Sequence, residues 1–128
     1  IGDGDVRGLE QALQRQFQEG AAAVSILRAS ARHFLRLHLA AGLLARGDSI
    51  ERALAALRPP VFYKLVDRFR AQAERWSSAG LALGLDRLTR AELDCKRTGT
   101  PEQAICHRAL IEIAARAPRR RLTTARMR

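Results

Sequence analysis

The sequence has few of the residues that build β-sheets, and it has no long apolar run. Aromatic residues make up 5% of the 128 positions, Val is sparse, and no stretch alternates between apolar and polar side chains. Because strands are enriched in aromatic and β-branched residues, a β-rich fold is not expected. No run of 18 apolar residues occurs, and the sequence therefore predicts no transmembrane helix.

Residues with metal-binding or nucleophilic chemistry are also scarce. The chain has two cysteines, Cys95 and Cys106, and three histidines without the spacing of metal ligands. His107 follows Cys106 directly, and neighbours on a helix point about 100° apart, so the two do not form a nucleophile–base pair. The glycines are scattered and make no phosphate-binding loop. We therefore expect buried, reduced cysteines and no catalytic site, metal or cofactor.

Acidic residues are outnumbered by basic ones. The chain has 13 Asp and Glu against 23 Lys and Arg, a net charge of +10, and all the basic residues except Lys64 and Lys96 are Arg. This balance favours nucleic acid or an acidic protein surface as a partner. Five Arg and no acid fall within residues 117–128, and we predict a basic, disordered tail over 118–128. Contact with nucleic acid and simple solvation are both open for this tail.

Good helix formers dominate the rest of the sequence. Ala, Leu, Arg, Glu and Gln are abundant, and Gly, Pro and capping residues divide the chain into about six segments. The predicted helices cover roughly 5–19, 22–46, a short stretch after 48, 60–76, a stretch from 77 or 78 to about 98, and 101–117. The expected fold is all-α, a single compact bundle over residues 1–117.

The predicted second helix is expected to be the central one. Its apolar residues cover about half of its circumference, which requires more than one packing neighbour. Arg28, Arg32 and Arg36 line the opposite side, where Leu39 and Leu43 follow towards the end of the helix. We therefore expect its N-terminal half to be exposed and its C-terminal half to be enclosed.

Local signals predict where three other helices begin. Asp48 and Glu51 resemble a capping box for the third helix. Pro60 can occupy the first turn of the fourth helix, since proline needs no hydrogen-bond partner there. Thr100 is predicted to cap the sixth helix, with Pro101 in its first position.

The fourth predicted helix carries an apolar stripe that ends at a tryptophan. Phe62, Leu65, Phe69 and Trp76 recur at helical spacing and are expected to face inward. For Trp76 a core role and an interface anchor are both open.

Charge spacing gives two further expectations. Arg28, Arg32 and Arg36 stand at i, i+4 and i+8 without an acid at i+4, so they repel one another. They form either a solvated face or a contact with an acidic partner or a phosphate. Glu92 and Lys96 stand four apart with the acid first, which favours a helical ion pair.

The order of several motifs resembles one protein family. Arg-Pro-Pro-Val-Phe at 58–62 is followed by Phe-Arg-Ala-Gln at 69–72, Trp76, Glu-Leu-Asp-Cys-Lys at 92–96 and Thr98-Gly99. This order, over about residues 3–117, resembles the C-terminal part of the delta subunit of the bacterial DNA polymerase III clamp loader. The first residue is Ile, and we expect the sequence to be a fragment of a longer chain.

The resemblance implies a non-catalytic role in DNA replication. In that family this part is an all-helical collar domain, and five related subunits join their collars into a ring. The implied partners are the collar domains of the other clamp-loader subunits, with the DNA primer–template junction nearby. The sliding clamp would be contacted only through an upstream domain, and the implied location is the cytoplasmic, nucleoid-associated replisome, without a membrane. The parent would be a non-catalytic subunit of the polymerase III holoenzyme.

Two groups of residues are candidates for these contacts. The candidate subunit-interface residues are Arg28, Arg32, Arg36, Arg58 and Trp76. The candidate DNA-backbone-facing residues are Lys96, Arg97 and Thr98. The alternative hypothesis is an autonomous, basic, all-helical nucleic-acid-binding protein, since the net charge alone favours such a partner.

Overall fold

The computed structural model describes residues 2–118, which form six α-helices and no strand. The predicted all-α bundle is thereby confirmed. From residue 119 onward the predicted basic tail lies outside the described residues, and its boundary stays a prediction. The helices are α1 (Val6–Gln18), α2 (Ala23–Ala45), α3 (Ile50–Ala55), α4 (Val66–Arg75), α5 (Ser78–Cys95) and α6 (Glu102–Ala115), with a 3₁₀ turn at Tyr63–Leu65 before α4.

Helix α2 is central, as its wide apolar arc predicts. It packs against α3, α4, α5 and α6, and its contact with α5 is the most extensive in the bundle. Phe34 and Leu37 are fully buried on α2. Gly84 allows α5 to approach, because a Cβ there would lie 2.6 Å from Cε2 of Phe34. No helix within residues 2–118 is long and apolar enough to cross a bilayer.

Trp76 belongs to the core, which corrects its place among the interface candidates. Its side chain is 5% exposed and packs edge-to-face on Phe34, with ring centroids 5.2 Å apart. Its indole N–H donates to the carbonyl of Gly2 at 2.9 Å. The ring and its one polar atom are therefore both used within the chain.

The fourth helix begins later than predicted. Phe62 is extended, the 3₁₀ turn follows, and α4 starts at Val66, so Pro60 does not lie in its first turn. The two consecutive prolines keep this segment extended, since proline disfavours a helical conformation in the residue before it. As a result Phe62 and Leu65 are 56% and 48% exposed, and the prediction that they face inward is wrong.

Two of the predicted caps are also wrong. Ser49, not Asp48, caps α3 by accepting from the N–H of Arg52 at 3.2 Å. The Asp48 N–H donates to the carbonyl of Leu43, so Asp48 belongs to the turn that closes α2. Thr100 likewise closes the preceding helix, because its hydroxyl donates to the carbonyl of Arg97 at 3.0 Å.

Helix α6 begins one residue later than predicted. Helix α6 begins at Glu102, and Pro101 precedes it without a side-chain cap. Helix α5 begins at Ser78, as predicted, and the Ser77 hydroxyl caps it by accepting from the N–H of Gly80.

The second half of α2 is more open than expected. Leu43 packs against the core, but Leu35 and Leu39 are 51% and 54% exposed. Helix α3 has only six residues, and it leaves Leu39 at the wall of a cleft of about 280 Å³ beside Ala56 and Leu57. The prediction of an enclosed C-terminal half is therefore wrong at Leu39.

Candidate functional site

The three arginines of α2 have three different environments. Arg28 donates from Nε to Oε2 of Glu92 at 3.1 Å, across to α5. Arg32 is exposed and forms no ion pair with any of residues 2–118. Arg36 is half-buried and lines a cavity beside α4. The expected repulsion along α2 is thus relieved at Arg28 by an acid from another helix.

Glu92 holds two basic residues together at the surface. Its Oε2 lies 3.2 Å from Nζ of Lys96, which confirms the predicted helical pair, and 3.1 Å from Nε of Arg28. The hydrogen bond from Lys96, and then that from Arg28, lowers the pKa of the Glu92 carboxyl. One carboxylate therefore joins a candidate interface residue to a candidate DNA-facing residue.

The turn after α5 extends this positive surface. Lys96, Arg97 and Thr98 are all exposed, and the turn ends at Gly99, whose φ is +77°. We call Arg28, Lys96 and Arg97 the basic patch. Phosphate groups are bound by such exposed cations without regard to sequence. The role of these residues towards DNA stays a prediction.

Arg58 has a structural task in addition to its predicted one. Its Nη1 donates to the carbonyl of Ala55 at 2.7 Å and to that of Leu57 at 2.8 Å. A cation at this position satisfies free carbonyl groups at the end of α3 and interacts favourably with the helix dipole. Arg58 thereby fixes the turn that leads to the two prolines, and its contact with another subunit stays a prediction.

A polar cluster that sequence reasoning missed joins three distant segments. Asp3 accepts from Nε2 of Gln72 at 2.6 Å and from Nε of Arg68 at 2.8 Å. His33 on α2 lies 2.6 Å from Oε1 of Gln72. The amide nitrogen of Gln72 donates to Asp3. The amide oxygen of Gln72 therefore accepts from the Nε2–H of His33. Burial lowers the pKa of His33, although the Gln72 hydrogen bond opposes this.

This cluster lines part of a cavity, which we call the His33 cavity. It has a volume of about 390 Å³. Its lining residues are Asp3, His33, Arg36, Val61, Phe62, Leu65, Arg68, Phe69 and Gln72. The only sequence signal for it was Gln72, a polar residue on the inward face of α4, three positions after Phe69.

Exposed apolar side chains lie at this cavity and next to it. Phe62 and Leu65, which line it, are 56% and 48% exposed, and the neighbouring Tyr63 is 73% exposed. Phe62 and Tyr63 pack edge-to-face with centroids 4.9 Å apart, and Nζ of Lys64 lies 5.9 Å from the Tyr63 centroid. Such a concentration of exposed apolar surface marks an interaction site more often than an isolated exposed Leu does.

The cysteines are part of the core. Cys95 and Cys106 are both free and buried, as predicted. Burial raises the pKa of the Cys95 thiol and raises that of Cys106 to about 11. A thiol with a raised pKa stays protonated at neutral pH, and only the thiolate is the nucleophile. Within the described residues, no group of three His, Cys, Asp or Glu side chains is placed to hold a metal ion.

Comparison with known proteins gives one partial similarity. Over 73 residues, 57% of its length, the chain is 33% identical to the probable DNA polymerase III subunit delta of Rickettsia prowazekii (strain Madrid E). The matched segment is 23% of that protein, so the chain spans less than a quarter of the relative's length. No protein-family model and no solved structure matches the chain. Part of the chain is thus similar in sequence to a delta subunit, in agreement with the resemblance carried by its motifs.

Proposed function

We propose that this chain is the helical collar domain of a DNA polymerase III delta subunit, which holds neighbouring clamp-loader subunits together during replication. The observation that carries the proposal is the 33% identity over 73 residues to a delta subunit. The all-helical bundle supports it, since it is the architecture that the family resemblance implies. The chain is then a non-catalytic part of the polymerase III assembly, and it acts in the cytoplasm.

One face of α2 has the character of a subunit contact. Arg28, Arg32, Leu35 and Leu39 stand at i, i+4, i+7 and i+11, and this spacing places them along one stripe of the helix. We call them the open α2 face. The two leucines are more than half exposed, and Arg32 forms no ion pair within residues 2–118. Exposed apolar side chains next to arginine are typical of protein interfaces.

The basic patch supports a contact with the backbone of nearby DNA. Arg28, Lys96 and Arg97 present positive charge beside the open α2 face, because Arg28 belongs to both surfaces. Phosphate contacts of this kind position a protein on DNA without reading its sequence. The proposal therefore assigns subunit contact to α2 and backbone contact to the turn after α5.

Size-exclusion chromatography with the other clamp-loader subunits of the same genome tests the assembly role. We expect the chain to co-elute with them. The double variant Arg32→Glu/Leu39→Ser should weaken this association by about tenfold or more, because it alters both a charge and an apolar contact of the open α2 face.

A matched control separates this face from general surface effects. Arg7→Glu/Leu83→Ser changes an exposed Arg of α1 that forms no ion pair with residues 2–118, and a Leu of α5 that is 69% exposed. We expect this variant to co-elute like the unchanged chain. Failure of the unchanged chain to co-elute at tens of micromolar, or equal losses in both variants, would refute the assembly role.

The net charge of +10 favours the second candidate, an autonomous nucleic-acid-binding protein. Fluorescence anisotropy with primer–template DNA, over a range of salt concentrations, distinguishes it from the first. Tight, salt-dependent binding by residues 1–117 without any association with clamp-loader subunits would favour this candidate. Binding that disappears with residues 118–128 would assign the DNA contact to the tail and not to the bundle.

A further inference from the structure

We propose that the His33 cavity binds a short acidic peptide segment that carries one large apolar side chain. The site lies between α2, α4 and the extended segment 58–62. It includes no residue of the basic patch or of the open α2 face. The inference goes beyond the proposed function and does not depend on it.

The shape of the cavity suits an inserted side chain. Its volume of about 390 Å³ falls within the range of ligand pockets in proteins. Val61, Phe62 and Leu65 form an apolar wall in which Phe62 and Leu65 are about half exposed, and the buried ring of Phe69 also lines the cavity. An aromatic or branched aliphatic side chain of a partner would cover this wall and remove it from water.

The charge of the cavity suits an acidic partner. Two of its nine lining residues are cations, Arg36 and Arg68, and Asp3 is the one acid among the nine. Both Asp3 oxygens already accept hydrogen bonds, one from Gln72 and one from Arg68. Arg36 forms no ion pair with any residue between 2 and 118, so its guanidinium is available to a carboxylate of the partner. Lys64 adds positive charge beside the cavity, in the 3₁₀ turn.

Three polar lining residues of the cavity are held in place before a partner arrives. The hydrogen bonds from His33 to Gln72 and from Gln72 to Asp3 link α2, α4 and the N-terminal segment. The His33 ring also packs edge-to-face on Phe69, with centroids 5.9 Å apart. A prearranged site loses less conformational entropy on binding, which favours affinity for a short segment.

The same rim is less suited to single-stranded nucleic acid. Bases stack on free aromatic faces, and in the edge-to-face pair of Phe62 and Tyr63, at 62°, the edge of one ring covers a face of the other. Aliphatic side chains, Val61 and Leu65, are two of the three that form the apolar wall, and the surface is concave. A recess with an apolar wall and a charged rim is the usual receptor for an anchoring side chain of a peptide.

Fluorescence anisotropy with a labelled synthetic peptide tests the proposal on the complete 128-residue chain. The probe is a peptide of about ten residues with a central Phe flanked by Asp, in a Gly-Ser context. We expect saturable binding. Replacing the Phe by Ser should weaken it by about tenfold, and replacing each Asp by Lys should abolish it.

Variants of the chain locate the binding. Arg36→Glu and Leu65→Ser should each lower the affinity for the peptide by about tenfold. The first removes the guanidinium that pairs with a peptide carboxylate, and the second removes part of the apolar wall. Arg7→Glu and Leu83→Ser, on α1 and α5, are the matched controls and should leave binding unchanged. Far-ultraviolet circular dichroism verifies that all four variants keep the helical content of the unchanged chain.

Three results would overturn the proposal. The first is an absence of saturable binding up to about 1 mM peptide. The second is that the chain binds the Asp peptide and the Lys-substituted peptide with equal affinity, or that the cavity variants and the control variants bind the Asp peptide equally well. The third is that an oligothymidylate of about 15 nucleotides displaces the peptide, and that the Leu65→Ser variant binds this oligonucleotide more weakly than the unchanged chain does. This result would assign the cavity to nucleic acid.

Discussion

The contact between α2 and α5 and the segment 58–65 both contain large apolar side chains, but these are buried in the first and largely exposed in the second. In the first, Phe34 is fully buried and α5 approaches closely at Gly84. In the second, Phe62 is 56% exposed at the rim of a cavity. Helical spacing alone therefore does not bury a side chain. Burial also requires that the helix is continuous where the apolar stripe runs, and the prolines before Phe62 remove that condition.

The largest expected effect comes from exchanging the two phenylalanines for alanine. Phe34→Ala should lower the free energy of unfolding by about 3–5 kcal/mol, because it empties a closed core site beside Trp76. Phe62→Ala should change it by less than about 0.5 kcal/mol, because half of that ring is already in water. Urea unfolding followed by circular dichroism measures both. Equal losses would mean that the segment 58–65 is packed as tightly as the α2–α5 contact.

Replacing either of two helical glycines by alanine should have a smaller effect on stability, and the effect should have opposite signs at the two positions. Alanine normally stabilises a helix by up to about 1 kcal/mol relative to glycine. At Gly84 the new Cβ would collide with the enclosed Phe34 ring, and we expect Gly84→Ala to destabilise the chain by about 1–2 kcal/mol. At Gly42, on α2, a Cβ would meet nothing within 4 Å, and Gly42→Ala should stabilise. Thermal unfolding of both variants measures this, and a stabilising Gly84→Ala would show that the two helices can move apart at little cost.

The sequence could predict the bounds of the long helices but not the polar cluster beside α4. The bounds of α1 and α2 follow from glycine and from apolar spacing, which act through neighbours in the chain. The cluster of Asp3, His33 and Gln72 could not be predicted, because its members are 30 or more positions apart in the chain and meet only after three segments pack. The motif order and the net charge indicated a binding role, but neither indicated a cavity beside α4.

The start of α3 gives a test in which the expected loss of unfolding free energy is about 1 kcal/mol. Two adjacent residues, Asp48 and Ser49, both have a side chain suited to a cap, so sequence alone does not choose between them. Ser49→Ala should cost about 1 kcal/mol in unfolding free energy, since it leaves the Arg52 N–H without its acceptor. Asp48→Ala should cost less than about 0.5 kcal/mol, because its N–H bond to Leu43 is a backbone bond that alanine keeps. A larger loss at Asp48 would reverse this assignment.

The smallest expected effect lies at the water-exposed edge of the α2–α5 contact, where Glu92 joins Arg28 and Lys96. Both partners are about half exposed, so Glu92→Gln should cost at most about 1 kcal/mol at neutral pH and low salt. The pKa of Glu92 is lowered in the folded chain, so its contribution is complete above the ordinary carboxyl pKa of 4.5 and is lost as the pH falls through the lower, folded value. The difference in unfolding free energy between the two chains should therefore shrink below pH 4.5 and also at high salt. Glu74→Gln is the matched control, since Glu74 is an exposed acid near the C-terminal end of α4 that forms no ion pair within residues 2–118. A difference that stays constant with pH would mean that Glu92 contributes by packing and not by its charge, so that the edge of this contact resembles its buried centre.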